Sequence, residues 1–196
     1  DLDYVVALDT TLAVTEGMKE IVKTLFEAMA LVIVVVFIFL QGWRATLIPL
    51  IAVPVSLIGT FAIFPLLGFS INTLSLFGLV LAIGLVVDDA IVVVEAIELH
   101  IEHGLSPRDA AIKAMSQVQG PVVAIALILS AVFIPTIFIP GITGAMYQQF
   151  AVTMAVSVII SAFNALTLSP ALGALLLRPR KEGRGPLAAF FRGFNS

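Results

Sequence analysis

From Ile71 to Val94 the chain is apolar enough and long enough to cross a bilayer, yet it carries two adjacent acids, Asp88 and Asp89. About 20 residues of helix span the hydrocarbon core. A carboxylate placed there costs roughly 3 kcal/mol on insertion scales. The pair therefore demands both a helix bundle to shelter it and a use to justify it. By default such acids mark a proton or ion path.

The rest of the sequence supplies the bundle. Of its 196 residues, 60% are hydrophobic and 12% charged, about half the charged share of a soluble domain. The mean hydropathy of +1.14 belongs with polytopic membrane proteins. The expected fold is an all-α membrane bundle of five spans, at about 24–40, 45–67, 71–96, 121–137 and 150–177. A short surface helix over about 107–118 should precede the fourth span, because Ser106-Pro107-Arg108-Asp109 supplies an N-cap, a proline at the first helical position and an acid in the first turn. Residues 1–23 form a mixed polar and apolar lead-in, with a strand end expected at Tyr4–Leu8 and wet helical turns from Thr15. Residues 178–196 read as a basic tail with an interfacial helix bearing Phe190, Phe191 and Phe194. The chain starts at Asp1 with no signal peptide, as a cut into a longer polypeptide would.

Lys and Arg alternate between connections. Arg44 follows span one. Arg108 and Lys113 follow span three, and Arg178, Arg180, Lys181, Arg184 and Arg192 follow span five. The connections at 68–70 and 140–149 carry none. The positive-inside rule then puts the basic connections and the C-terminal end in the cytoplasm and the N-terminal end outside.

On a helix, consecutive side chains diverge by about 100°. Asp88 and Asp89 therefore cannot both face lipid, and one must face other helices. Counted back from Glu98, the pair lies roughly 15 Å from the cytoplasmic end, near mid-membrane. Burial and a like charge nearby both disfavour the ionised form, so one of the two is expected to exchange a proton near working pH unless a cation stands beside it. A purely structural role is disfavoured because apolar packing would hold the helices at lower cost. An intramembrane aspartyl protease would need acids converging from two helices, and no Gly-x-Gly-Asp stretch is present.

Other polar residues admit plainer readings. Glu95, seven residues after Asp88, shares its face. It is either an inner proton exit or, preferably, a snorkelling residue near the helix end. Glu27 is equally a functional acid or an interfacial one. His100 and His103 lack further ligands and read as loop histidines, so no metal site is expected. Asn72, Thr73 and Ser75 read as helix-start groups. Gly78 and Ala82 are spaced small-xxx-small, and Gly84 precedes Asp88 by four; such residues let a neighbouring backbone approach the acid pair. Cysteine is absent, so thiolate chemistry is excluded. No Walker-type loop suggests ATP hydrolysis, and no basic-aromatic pattern suggests nucleic acid.

The stretch Gly84-Leu-Val-Val-Asp-Asp-Ala-Ile-Val-Val-Val-Glu95 resembles the fourth-helix signature of the resistance-nodulation-division (RND) efflux pumps, in their hydrophobe/amphiphile multidrug branch. Leu8-Asp-Thr-Thr11 and Val22-Lys-Thr-Leu-Phe-Glu-Ala28 resemble the entry to the family's second helix. Phe39-Leu-Gln-Gly-Trp-Arg-Ala-Thr-Leu-Ile-Pro49 resembles the turn into its third, and Gly68-Phe-Ser-Ile-Asn-Thr-Leu74 the start of its fourth. Ser116-Gln-Val-Gln-Gly120, Gly144-Ala-Met-Tyr-Gln-Gln-Phe150 and Leu168-Ser-Pro-Ala-Leu172 continue the register through the sixth.

The resemblance implies a proton antiporter, not an enzyme. It is driven by the proton-motive force without a cofactor, and Asp88 and Asp89 sit on the proton-relay pair. It further implies a relay lysine on a tenth helix, a homotrimer in a Gram-negative inner membrane, a periplasmic adaptor, an outer-membrane channel, and hydrophobic or amphiphilic drugs as substrate. The second to sixth helices alone are present, and no Lys or Arg lies deep enough in a span to replace that lysine. Gly173 stands where cysteine is common in the family, and Gln148 where arginine is. Export of another cargo, such as metal or lipid, is the alternative, although the five methionines do not cluster as in a metal path. A third reading is a truncated half acting as an interaction module.

Overall fold

The computed structural model describes residues 11–179. The strand end expected at Tyr4–Leu8, the Leu8–Thr11 motif up to Thr10, and the interfacial helix with Phe190, Phe191 and Phe194 lie outside the described residues.

Helix α1 runs over Thr11–Leu40, joining the expected wet turns and the first span into one 30-residue rod. Lys19 pairs with Glu16 at 2.8 Å and Lys23 with Glu27 at 3.7 Å, all four side chains exposed, contacts that add little stability in water. Gln41, with φ 49°, breaks the helix, and Gly42 starts α2 at Trp43–Ile63. Pro49 and Pro54 lie inside α2, and a 3-10 turn over Phe64–Leu67 extends it. In hydrocarbon, losing one bond per proline is cheaper than ending a helix and exposing its whole terminus.

Asn72 opens α3, Thr73–Glu102, by accepting from the Ser75 N–H at 2.9 Å while its own N–H donates to Ser75 Oγ at 2.9 Å. This capping box gives Asn72 and Ser75 the helix-start role expected of them. Ser106 caps α4 as its sequence predicts, accepting from the Asp109 N–H at 3.2 Å.

Two expected breaks are absent. The surface helix 107–118 and the fourth span are one helix, α4, Pro107–Phe133, with Pro121 inside it, followed by a 3-10 turn at Ile134–Phe138. The same economy that carries α2 through its prolines applies here. Helix α5 begins at Gly141 and runs to Leu176, so the glycine-rich segment belongs to its first turn and not to a loop before residue 150. Gly144 explains why: a Cβ there would fall 1.8 Å from the Ile139 carbonyl oxygen, so the incoming chain lies directly on the helix.

Every regular element among the described residues is helical, and five helices are long and apolar enough to cross a membrane. Helices α3 and α5 form the central seam and run parallel. Gly78 meets Phe150 and Thr153 near one end, and Gly173 meets Ile97 near the other. Helices α2 and α4 flank α5, and α1 lies against α3 and α2. The core between them is aliphatic, with Ile48, Leu79, Ile83, Val93, Val94 and Ile97 fully enclosed. Leu31, Ile58, Phe163 and Leu175 project outward, as lipid-facing side chains do.

Two glycines separate kinds of close contact. At Gly144 a methyl group meets backbone; at Gly173 it meets the tip of Ile97, 2.7 Å away, which can rotate aside. Gly144→Ala is expected to cost about 3 kcal/mol or more and Gly173→Ala about 1 kcal/mol. Thermal unfolding in detergent should rank them in that order; equal losses would contradict the packing described.

Candidate functional site

Both aspartates lie in the middle of α3. By helical rise, Asp89 is about 24 Å from Thr73 and about 20 Å from Glu102. The adjacent positions part company as the 100° step requires. Asp89 turns into the bundle and is 9% exposed, whereas Asp88 lies on an open face. That face runs the length of α3 through Phe77, Leu81, Gly84, Asp88, Val92 and Glu95. Asp88 and Glu95 share it, as their spacing predicts.

Asp89 is held by α5. The Ser161 hydroxyl lies 2.7 Å from Asp89 Oδ2 and 3.0 Å from the Val86 carbonyl oxygen, and Ser161 is 3% exposed. Among the described residues, neither aspartate has a cation in ion-pair contact. Ser161 thus supplies the polar contact given to the inward acid. Sequence reading passed over it because a lone serine in an apolar helix carries no message. The available signal was periodic: Gln149, Thr153, Ser157, Ser161 and Asn164 follow one another at steps of four, four, four and three, a polar stripe on one face of α5.

The structure puts that stripe to use. Thr60 Oγ1 on α2 lies 3.1 Å from Ser157 Oγ, and Asn164 Nδ2 donates to Ser56 Oγ at 2.8 Å. At the far end, Asn72 hydrogen-bonds Gln149. The stripe therefore ties α5 to α2 on one side and to α3 on the other, at and around the depth of Asp89.

The small residues divide between faces. Gly78 and Ala82 are buried, Gly78 against α5. Among the described residues nothing packs against Gly84: a Cβ there would meet nothing within 4 Å. It belongs with Asp88 on the open face. Glu27 is exposed and paired with Lys23, and Glu95 is exposed. His100 is not a loop residue: it is buried, and its Nε2 lies 3.0 Å from Gln117 Oε1, joining α3 to α4. His103, with Nδ1 2.6 Å from the Leu99 carbonyl, is the C-cap of α3. Among the described residues no three His, Asp or Glu side chains converge on a common point.

The sequence model of the AcrB/AcrD/AcrF family matches residues 1–196. The chain belongs to that family. It is 54% identical over 193 residues to the multidrug export protein AcrF of Escherichia coli K12, covering 96% of this chain and 18% of the relative. It is 50% identical over 196 residues to the multidrug resistance protein MdtF of the same organism, covering 100% of this chain and 19% of the relative. Similarity to the toluene efflux pump membrane transporter TtgB of Pseudomonas putida is also 50%, over 190 residues, covering 95% of this chain and 18% of the relative. The chain thus spans less than a fifth of the length of the curated relatives it matches. These relatives are RND multidrug efflux transporters, so the family expected from the Gly84–Glu95 stretch is the family found.

Family membership gives the α2–α5 contacts a testable place beside the acid pair. A double-mutant cycle with Ser56→Ala and Asn164→Val is expected to return a coupling of about 0.6 kcal/mol, with ~1.7 kcal/mol as an upper bound for a hydrogen bond between membrane helices. Unfolding in mixed micelles measures it; strictly additive effects would mean that the 2.8 Å contact does not form.

Proposed function

We propose that this chain supplies the proton-relay segment of a proton-driven multidrug exporter, with Asp88 and Asp89 as the relay acids. The observation behind it is the placement of Asp89: an acid at mid-helix, enclosed by the bundle and hydrogen-bonded to a serine of the neighbouring helix. A carboxylate in that position is stable only if a cation or strong donors compensate it, and neutral otherwise. Each change of protonation state therefore has to be matched by a change in what stands beside the acid. That requirement converts proton flow into helix movement, because the two states favour different neighbours.

Asp88 faces the side of α3 where a compensating cation can approach. In the complete transporter that cation is a lysine from the other half of the molecule. Ionised aspartates hold it close and protonated ones release it. The proton-motive force supplies the energy, with no bound cofactor. Hydrophobic or amphiphilic drugs are the cargo, in keeping with relatives named for multidrug and toluene efflux. The working assembly is a homotrimer in the inner membrane of a Gram-negative cell, continued outward by a periplasmic adaptor and an outer-membrane channel.

Asp88→Asn and Asp89→Asn should each abolish efflux from the full-length transporter, a loss of at least about tenfold in the resistance it confers, with expression and membrane insertion unchanged. Resistance at the unmutated level in either variant would remove that acid from the relay.

The orientation follows from the same reading, with Arg44, Arg108 and Lys113 on the cytoplasmic side. These 196 residues contain no cysteine, so within this segment an introduced one is labelled without competition. A single cysteine at Ser70 should react with a membrane-impermeant maleimide added outside spheroplasts, and one at Ser106 only after the membrane is opened. The opposite pattern would invert the topology.

A further inference from the structure

We infer that Ser161 is a two-way positioning residue for Asp89: its hydroxyl donates to the carboxylate when Asp89 is ionised and to the Val86 carbonyl when Asp89 is protonated. This deepens the relay proposal and rests on it.

The inference follows from counting protons at one point. A serine hydroxyl has one hydrogen and two acceptor lone pairs. Ser161 Oγ faces two oxygens at once, Asp89 Oδ2 at 2.7 Å and Val86 O at 3.0 Å. The carbonyl can only accept, whatever the pH. The carboxyl oxygen accepts when ionised and can donate when it carries the proton. Two arrangements therefore leave neither hydroxyl hydrogen without an acceptor. With Asp89 ionised, the Ser161 O–H points to Oδ2. When a proton arrives on Oδ2, the new Asp89 O–H donates to Ser161 Oγ, and the serine hydrogen turns to Val86 O. The serine never loses its proton; its O–H rotates, and Asp89 gains one proton. The link between α3 and α5 survives both states, so the carboxyl stays in place while the direction of donation reverses.

Burial makes the device selective. Ser161 is 3% exposed and Asp89 9% exposed, so water does not readily replace either partner. No charged side chain from the packed helices competes for this point. Helix α5 has no Asp, Glu, Lys, Arg or His between Gly141 and Leu176, and its Tyr147 is exposed near the opposite end. Glu16, Lys19, Glu20 and Lys23 of α1 lie in the half of that helix away from Leu40, and Glu27, just past its middle, is exposed and paired with Lys23. Arg44 of α2 and Arg108, Asp109 and Lys113 of α4 lie in the first two turns of their helices. On α3 itself, Asp88 is the charged neighbour, followed toward the helix end by Glu95, Glu98, His100 and Glu102.

The test uses the full-length transporter carrying this segment, with Ser161→Ala, Ser161→Thr and Asp89→Asn. Infrared difference spectra on the purified pump read the carbonyl stretch of protonated Asp89, identified by its loss in Asp89→Asn. In Ser161→Ala that band should move to higher frequency, and the pH dependence of efflux should be displaced by about half a unit to one unit. Threonine, which keeps the hydroxyl, should restore both. An unmoved band and an unchanged pH profile in Ser161→Ala, with Asp89→Asn still inactive, would overturn the role of Ser161 and leave the relay standing. Normal efflux in Asp89→Asn would overturn the relay itself, and this role with it.

Discussion

A carboxyl group enclosed at the centre of a membrane helix sets the terms for everything around it. Hydrocarbon offers no water to solvate the charge, so the protein must provide donors, a cation, or a proton. Among the described residues the bundle provides one donor, the hydroxyl of Ser161, and Asp88 lies on a face of α3 that they leave open. Inward and outward acids one residue apart are a consequence of the 100° helical step alone. Their inequality is not an accident of packing but a property of adjacency on a helix.

The placement of Ser161 depends in turn on the seam between α3 and α5. These helices approach closely because Gly78 admits Phe150 and Thr153 and Gly173 admits Ile97. Small residues replace the hydrophobic effect, which does not drive helices together in lipid. Polar contacts then fix the rotation of α5 about its axis. Thr60 with Ser157 and Ser56 with Asn164 hold one side, while Ser161 with Asp89 holds the other. A rotation of α5 by one residue would strand all three pairs.

Much of this was legible in the chain before any coordinates. The Gly84–Glu95 stretch identified the family, and the spacing of Asp88 and Glu95 put them on one face. Asn72, Ser75 and Ser106 marked helix starts correctly. Two of the errors share one cause. A break was expected between residue 118 and Pro121, and another over the connection 140–149 with its glycines, where helices in water commonly end. In a bilayer the penalty for exposing a helix end outweighs the loss of one hydrogen bond or some glycine entropy. His100 was read as a loop residue because the end of α3 was placed too early, at about residue 96 instead of Glu102.

The sequence by itself determined the all-helical class, the number of helices long and apolar enough to span a membrane, and the presence of an acid pair in the middle of the third. These are properties of one dimension: apolar length against bilayer thickness, and position along a run. Only the tertiary structure decided that Asp89 turns inward and Asp88 outward, that Gly84 lies on the open face, and that Ser161 is the partner. The physical reason is that a helix as evenly apolar as α3 does not say which side faces the core, and the polar stripe of α5 marks a face without naming its partners. Their rotation is chosen by contacts with helices 70 or more residues away in sequence, such as Asp89 with Ser161.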